Sequence, residues 1–413
     1  MERADVLILG GGLVGLSLAI ALSRNGVTTI VVDAAEPASQ IAPAFDGRTT
    51  AVSSSSWRML QAIGVGEKIE AHGCPIRTIR VSDGLAPGSL TFDPSRGSLG
   101  DDGDADPLGI MFENRLIRQA LQQTAAECEH ITVIAPARTG EVVRDEAGVR
   151  AALTDGRAVM ASLLIGAEGR NSPTREAAHI PLARWQYDHS AMVTTVRHER
   201  PHENVAYEIF YPAGPFAILP MLDDEEGRHR SAIVWSVSAA DGPAYMGLSD
   251  RAFAAELEKK MGGALGRVEM GSRRWTYPLG FHHAAQITDL RLALVGDAAH
   301  GIHPIAGQGL NLGFRDAAAL AQVLVEGARL GLDLGDAQLL DRYQRWRSLD
   351  SFSVALATDS LTRIYGVPGR TASALRRFGM GLIDRIAPLK DRLMAEARGE
   401  SGELPLLLRG LPI

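Results

Sequence analysis

Gly296-Asp297-Ala298-Ala299-His300, continuing through Pro304 and Gly307-Gln308-Gly309 to Asn311, Gly313 and Asp316, is the stretch on which the reading of this chain turns. Immediately before it, Arg291-Leu292-Ala293-Leu294-Val295 is a short apolar run that reads as a buried strand ending at a glycine. Immediately after it, Leu310 to Val325 places apolar residues at helical spacing, with Ala317-Ala318-Ala319 as strong helix formers. The connection is a glycine-rich passage from strand to helix. Glycine lets a ligand approach the backbone because no Cβ intervenes. A helix N-terminus behind it offers free N–H groups and a positive partial charge to an anion. Asp297 falls at the C-terminal end of the strand, where open α/β sheets make their ligand contacts. The stretch alone predicts a loop for an anionic ligand or cofactor.

The N-terminus carries a second such passage. Val6-Leu7-Ile8-Leu9 reads as a buried strand, Gly10-Gly11-Gly12-Leu13-Val14-Gly15 as a turn, and Leu16 to Arg24 as a helix closed by Gly26. Thr28 to Val32 is the next strand and ends at Asp33. G-x-G-x-x-G between strand and helix, with an acid about twenty residues on, is the arrangement that binds a dinucleotide. Gly10 is expected to make the tight turn, Gly12 to admit the pyrophosphate, Gly15 to let helix pack on strand, and Asp33 to hydrogen-bond the adenosine ribose.

Gly-Asp-Ala-Ala-His, a proline, then Gly-Gln-Gly-x-Asn-x-Gly resembles the second flavin motif of the class A flavoprotein monooxygenases. These are aromatic hydroxylases of the para-hydroxybenzoate hydroxylase type. The form His303-Pro304-Ile305-Ala306-Gly307-Gln308-Gly309-Leu310-Asn311-Leu312-Gly313 is most similar to the branch that hydroxylates ubiquinone precursors. The resemblance covers most of the chain up to Asp350 and implies FAD as cofactor. It places Asp297, Pro304, Gly307, Gln308, Gly309 and Asn311 at the flavin, and it implies that Arg48 and Arg115 also contact the cofactor. By residue type alone, these two arginines read as readily as surface groups. Leu163 to Ser172, with Arg175 behind it, resembles the third motif, but Glu168-Gly169 stands where the family has Asp-Gly. That motif is implicated in using the nicotinamide donor, so the electron donor stays open between NAD(P)H and a ferredoxin-type carrier.

The resemblance also implies the reaction: reduced FAD takes up O2 at its C4a carbon, and the hydroperoxide delivers oxygen to an electron-rich ring. The helix N-terminus behind Gly307-Gln308-Gly309 suits the negative charge of reduced flavin, and the pocket should be apolar to keep water out. No catalytic acid or base is assigned. Two other readings stand beside this one, a monooxygenase for a soluble aromatic and a non-catalytic flavoprotein subunit of a biosynthetic complex. A hydrolase is disfavoured by the absence of Gly-x-Ser-x-Gly, and no metal is expected. His300 and His303 read as loop-packing residues.

The implied fold class is α/β, a Rossmann-like FAD-binding domain of this type with an antiparallel-sheet substrate domain and a helical C-terminus. The expected FAD-binding domain is 1–72, 99–180 and 275–340, the substrate domain 73–98 and 181–274, and the C-terminal helical region 341–413. Strands over 131–134, 140–144, 149–153 and 158–165 are expected to form one small antiparallel meander, and Trp275-Thr276-Tyr277-Pro278-Leu279 to return the chain to the flavin domain.

The chain has 413 residues, with 46% hydrophobic and 22% charged residues, the balance of an ordinary globular protein. Its net charge of −7 argues against nonspecific nucleic-acid binding. Cys74 and Cys128 make no disulfide framework, which suits a reducing, cytoplasmic setting. Val6 to Ser23 is uncharged but lacks the basic lead-in of a signal peptide. Expected partners are a polyprenylated phenol, O2, a membrane surface on its inner face and other ubiquinone-biosynthesis proteins. The surface is suggested by Leu375, Phe378, Leu382, Ile386, Leu389 and Leu393 at helical spacing, interleaved with Arg376, Arg377, Arg385, Lys390 and Arg392.

Overall fold

The computed structural model describes residues 1–42, 47–85, 89–94, 106–301, 307–348, 383 and 386–413. The core begins with Val6–Leu9, four residues buried on both faces, as a parallel strand flanked by helices must be. It pairs in parallel with Thr29–Val32 on one side and Leu163–Gly166 on the other. Ile131–Ile134 and Leu292–Leu294 extend the sheet in parallel, and Thr288–Asp289 closes one edge antiparallel. The helix Leu13–Ser23 is apolar nearly all round and almost wholly buried, as such a helix must be. Leu18, Ile20 and Leu22 are fully buried, each contributing about 1.5–3 kcal/mol. This helix packs along Gln308–Arg329, whose buried face includes Phe314, Ala317, Ala318 and Leu320.

The single expected meander is divided. Thr139–Asp145, Gly148–Leu153 and Ala158–Ala161 do form an antiparallel set, with Glu2–Arg3 added in parallel. Ile131–Ile134 and Leu163–Gly166 belong to the parallel sheet instead. Burial gives the reason for the second: Leu163, Leu164 and Ile165 are at most 2% exposed, whereas Gly148–Leu153 alternates between buried and exposed.

A nine-stranded, mostly antiparallel sheet follows. Its spine is Leu182–His198, paired with His229–Ser238 and with Trp275–Ala284. The segment 275–279, expected to leave this sheet, stays in it, with Tyr277 in register with Ala191. Gly214–Met221, Val205–Tyr211, Thr78–Asp83 and Ser89–Phe92 complete the far side. One face packs under the helix Asp250–Met261 through Phe216, Ile233, Trp235, Phe253 and Leu257. That helix is capped by Ser249 at its start and by Gly262, at φ +62°, at its end. The other face turns toward a three-stranded sheet of Thr49–Ser53, Gly109–Glu113 and Cys74–Ile76.

Near the C-terminus, residues 337–348 are helical, and Pro388 stands in the first turn of the helix Ala387–Ala397, where a missing N–H costs nothing. Arg376, Arg377 and Arg385 lie outside the described residues. No helix among the described residues is long and apolar enough to cross a membrane.

Candidate functional site

The two glycine loops of the sequence lie at the N-termini of the two packed helices. Gly10 has φ +108°, and a Cβ there would stand 2.4 Å from the Ala167 carbonyl oxygen. A Cβ on Gly15 would stand 2.0 Å from the Gly10 oxygen. Both glycines are required by backbone crowding within the protein. Gly12 differs: nothing lies within 4 Å of its missing Cβ. It faces open space at the head of Leu13–Ser23, where free N–H groups converge. Asp33 accepts hydrogen bonds from the Gly11 N–H at 2.6 Å and the Ala35 N–H at 2.7 Å, which fixes its carboxylate beside the loop.

The second loop repeats the pattern. Gly307 is the N-cap of Gln308–Arg329 at φ +63°, and Gly309, in the first turn, again has nothing within 4 Å of its missing Cβ. Asn311 is buried and fully used: its Nδ2 donates to Ala51 O at 2.9 Å and its Oδ1 accepts from Ser53 N at 3.0 Å. It latches the strand Thr49–Ser53 onto the helix. Asp297 is exposed between buried Gly296 and Ala298. Pro304 and His303 lie outside the described residues.

Arg48 leads into that latched strand, and its guanidinium carbon is 6.0 Å from the centre of the Tyr277 ring. Gly47 beside it has φ +60° and lies under Trp275, whose ring a Cβ would strike at 2.2 Å. The Arg48 segment is thus held between the Gln308 helix and the large sheet. Arg115 is bound locally, its Nε donating to Glu113 Oε2 at 2.8 Å. It is tied to the same region because Asn114 N donates to Arg48 O at 3.0 Å.

Asp316 at the end of the deciding stretch, the loop-packing His300, and Arg347 and Tyr343, which nothing in the sequence singles out, fix the Asp297 turn. Asp316, fully buried, accepts from the Gly296 N–H at 2.9 Å and from Arg347 Nε at 2.7 Å, and forms an ion pair with His300 Nε2 at 2.7 Å. Burial alone would raise the Asp316 carboxyl, but His300 and Arg347 hold it down at about 2. Burial opposes the charge on His300 too, and the Asp316 carboxylate outweighs it, so His300 is raised. Tyr343, also buried, donates to Leu294 O at 2.9 Å. The third motif is joined on: buried Arg175 donates to Ala298 O at 2.9 Å, and His282 Nε2 lies 2.8 Å from Asp297 O. Glu168 is occupied with capping Pro173–Ala177. It accepts from Ser172 Oγ at 2.7 Å and Thr174 N at 3.2 Å and also bonds Thr174 Oγ1. No cluster of metal-ligating side chains occurs among the described residues.

The chemistry of this site matches a dinucleotide with an attached ring system. Two helix N-termini stand side by side, each fronted by a glycine whose side-chain space is empty, with carboxylates at Asp33 and Asp297. The FAD binding domain family matches residues 3–354. The ubiquinone hydroxylase UbiL of Rhodospirillum rubrum is 42% identical over 99% of this chain and 94% of its own length. The 3-demethoxyubiquinol 3-hydroxylase of Escherichia coli is 32% identical over 96% of this chain and 99% of its own. The crystal structure of p-nitrophenol 4-monooxygenase PnpA from Pseudomonas putida superposes with a TM-score of 0.79 at 17% identity, covering 98% of this chain and all of that one. At that identity the likeness establishes fold alone.

Proposed function

The chain belongs to the FAD binding domain family, in its class A monooxygenase group, and we propose from that premise that it hydroxylates the ring of a polyprenylated phenol in ubiquinone biosynthesis. The observation that carries the cofactor reading is the pair of open glycines, Gly12 and Gly309, at adjoining helix heads. In this reading Gly10, Gly12, Gly15 and Asp33 hold the adenosine and pyrophosphate. Asp297, Pro304, Gly307, Gln308, Gly309 and Asn311 form or brace the flavin end, and Arg48 and Arg115 stand at its edge. FAD, when bound, supplies the activation of O2 and takes electrons from an external donor. The protein orients the ring and excludes water. Ile76, Leu90, Phe92, Met111, Ala206 and Met221 form a buried apolar wall against which Ala51, beside Gly307, packs. The names of the two relatives support the substrate class.

The test uses purified protein loaded with FAD, a short-chain prenylphenol, NAD(P)H or reduced ferredoxin, and 18O2. The expected product carries one 18O atom. Yellow protein that consumes donor without labelling the phenol would remove the hydroxylase reading, and colourless protein would favour a non-catalytic subunit.

A membrane surface fits the same substrate. On Ala387–Ala397, Leu393 and Met394 pack toward the apolar wall, while Leu389 and the preceding N-cap residue Ile386 are exposed at 39% and 40%. Lys390 and Arg392 lie on this helix, and each basic group adds about 1 kcal/mol near an anionic bilayer. Replacing both by glutamine should reduce sedimentation with anionic liposomes by about tenfold or more. Wild-type protein left in the supernatant at low salt removes this part of the proposal.

A further inference from the structure

We propose that Glu208 is the proton acceptor for the substrate's phenolic hydroxyl, an inference that rests on the aromatic hydroxylase reading above. Glu208 is the fourth residue of the strand Val205–Tyr211, paired with Ala217 on one side and Val81 on the other. Side chains alternate along a strand, so Ala206, Glu208 and Phe210 share one face, and Tyr207, Ile209 and Tyr211 the other. The second face is covered by the helix Asp250–Met261. The first is the wall that turns toward the three-stranded sheet, since Ala206 clusters there with Cys74, Met111 and Met221, against which Ala51 packs.

Ala51 connects this wall to the flavin loop. Its carbonyl accepts from Asn311, and a Cβ on Gly307 would lie 3.6 Å from its own. Glu208 therefore lies on the sheet face turned toward Ala51 and Gly307, a face on which the helix Ala387–Ala397, carrying Lys390, Asp391, Arg392 and Glu396, also packs through Leu393 and Met394. It is half-buried, and among the described residues it has neither hydrogen bond nor ion pair. Residues sharing its face on the two flanking strands are Ile79, Val81, Asp83, Pro215, Ala217 and Leu219. Asp83, in register with Phe210, is the ionisable one among them. Arg230, in register with Met221, lies toward the far end, with its Nη1 3.7 Å from Glu113.

A carboxyl with no partner among the described residues, on a largely apolar face, is costly to the fold and chemically primed. Burial pushes Glu208 up to about 8. That makes it a stronger base than an exposed carboxylate and brings it within about two units of a phenol, near 10. In the step proposed, the phenol O–H bond breaks and its proton moves to a Glu208 oxygen. The electron pair left on the phenol oxygen enriches the ring carbon that gains oxygen. That carbon's own C–H proton leaves to solvent as the ring regains aromaticity, the second oxygen atom of O2 leaves as water, and the proton on Glu208 returns to the phenol oxygen. Glu208 ends as it began. O2 and the external donor supply the oxidation.

The experiment compares wild type with Glu208→Gln and Glu208→Leu, all loaded with FAD, using a short-chain prenylphenol and its methyl ether. Glu208→Gln should hydroxylate the phenol about 100-fold more slowly, while FAD content stays full. The phenol's Kd in wild type should tighten as pH rises through about 8, because the carboxylate is the acceptor. In Glu208→Gln it should be flat, and the methyl ether should show no pH dependence with any form. Glu208→Leu should melt at or above the wild-type temperature, since an unpaired carboxyl has gone. Hydroxylation by Glu208→Gln within twofold of wild type, or a wild-type Kd independent of pH, overturns the proposal alone. Wild-type protein that neither binds nor hydroxylates the phenol overturns the functional reading and this proposal with it.

Discussion

Gly15→Ala should melt well below wild type, whereas Gly12→Val should fold and emerge without its flavin. The two positions lie three residues apart in one motif, and the contrast follows from what a side chain would meet. At Gly15 an added methyl would stand 2.0 Å from the Gly10 oxygen and 3.3 Å from the Ala167 methyl group. The first of these neighbours is backbone and cannot swing aside. Relief would require the helix Leu13–Ser23 to move off the sheet, away from the contacts of its buried residues. Overpacking of this kind costs about 1–3 kcal/mol and sometimes more, against a typical total stability of about 5–15 kcal/mol. At Gly12 the side-chain space is empty and φ is −75°, which a branched residue accepts. The cost to the apoprotein should stay near about 1 kcal/mol, since valine is a poorer N-cap residue than glycine. The same valine fills the space through which a pyrophosphate would reach the helix N–H groups. Thermal melting of the apoproteins and the 450 nm absorbance of the purified proteins separate the two effects. A fully yellow Gly12→Val protein would show that this loop is not the pyrophosphate seat, and an unchanged Gly15→Ala melting temperature would refute the crowding argument.

What could be read in the sequence was local. Glycine spacing, flanking apolar runs and the carboxylate after the second strand depend on neighbours in the chain, and the parallel core formed where they pointed. Non-local pairing was less legible. Ile131–Ile134 looks like any short apolar strand, and only its neighbour Thr29–Val32 makes it part of the parallel sheet. The spine strand begins at Leu182, but Arg184, Trp185 and Gln186 are exposed, and the pairing with Trp275–Ala284 shifts between Gln186 and Ser190. That half carries no apolar alternation to read. Glu168 is a different case. It keeps the charge of the usual aspartate, but its placement on Ser172 and Thr174 could not be inferred from the motif. Arg347 gave no signal at all, because the carboxylate that explains it lies 31 residues away on another helix.

Asp316→Asn should destabilise the protein by about 3–5 kcal/mol and reverse the pH dependence of the Asp297 turn. The substitution keeps the shape of the side chain and removes its charge. Asp316 is 0% exposed and meets Arg347, His300 and the Gly296 N–H at once. Removing one partner from such a buried set strands the others in low dielectric, which is the source of the magnitude. The titration follows from the directions of shift. Asp316 is depressed to about 2 from 3.8, so its contribution is present above about pH 4 and is lost as pH falls through 2. His300 is raised, so its contribution is present below 6.5 and is lost as pH rises through its folded value. Wild type should therefore lose stability on the alkaline side. In Asp316→Asn burial, the largest influence on His300, still opposes its charge, as do Arg347 and His283, and only Asp297, the weakest of these influences, still favours it. The histidine then stays neutral when folded, and the variant should lose stability as pH falls below 6.5 instead. The flavin should loosen too, since the Gly296 N–H that aims Asp297 loses its anionic partner. Melting temperature from pH 5 to 9, with FAD dissociation followed by its fluorescence, reads both effects. An Asp316→Asn protein within about 1 kcal/mol of wild type, and with the same pH profile, would mean that the His300–Asp316–Arg347 set does not hold the turn.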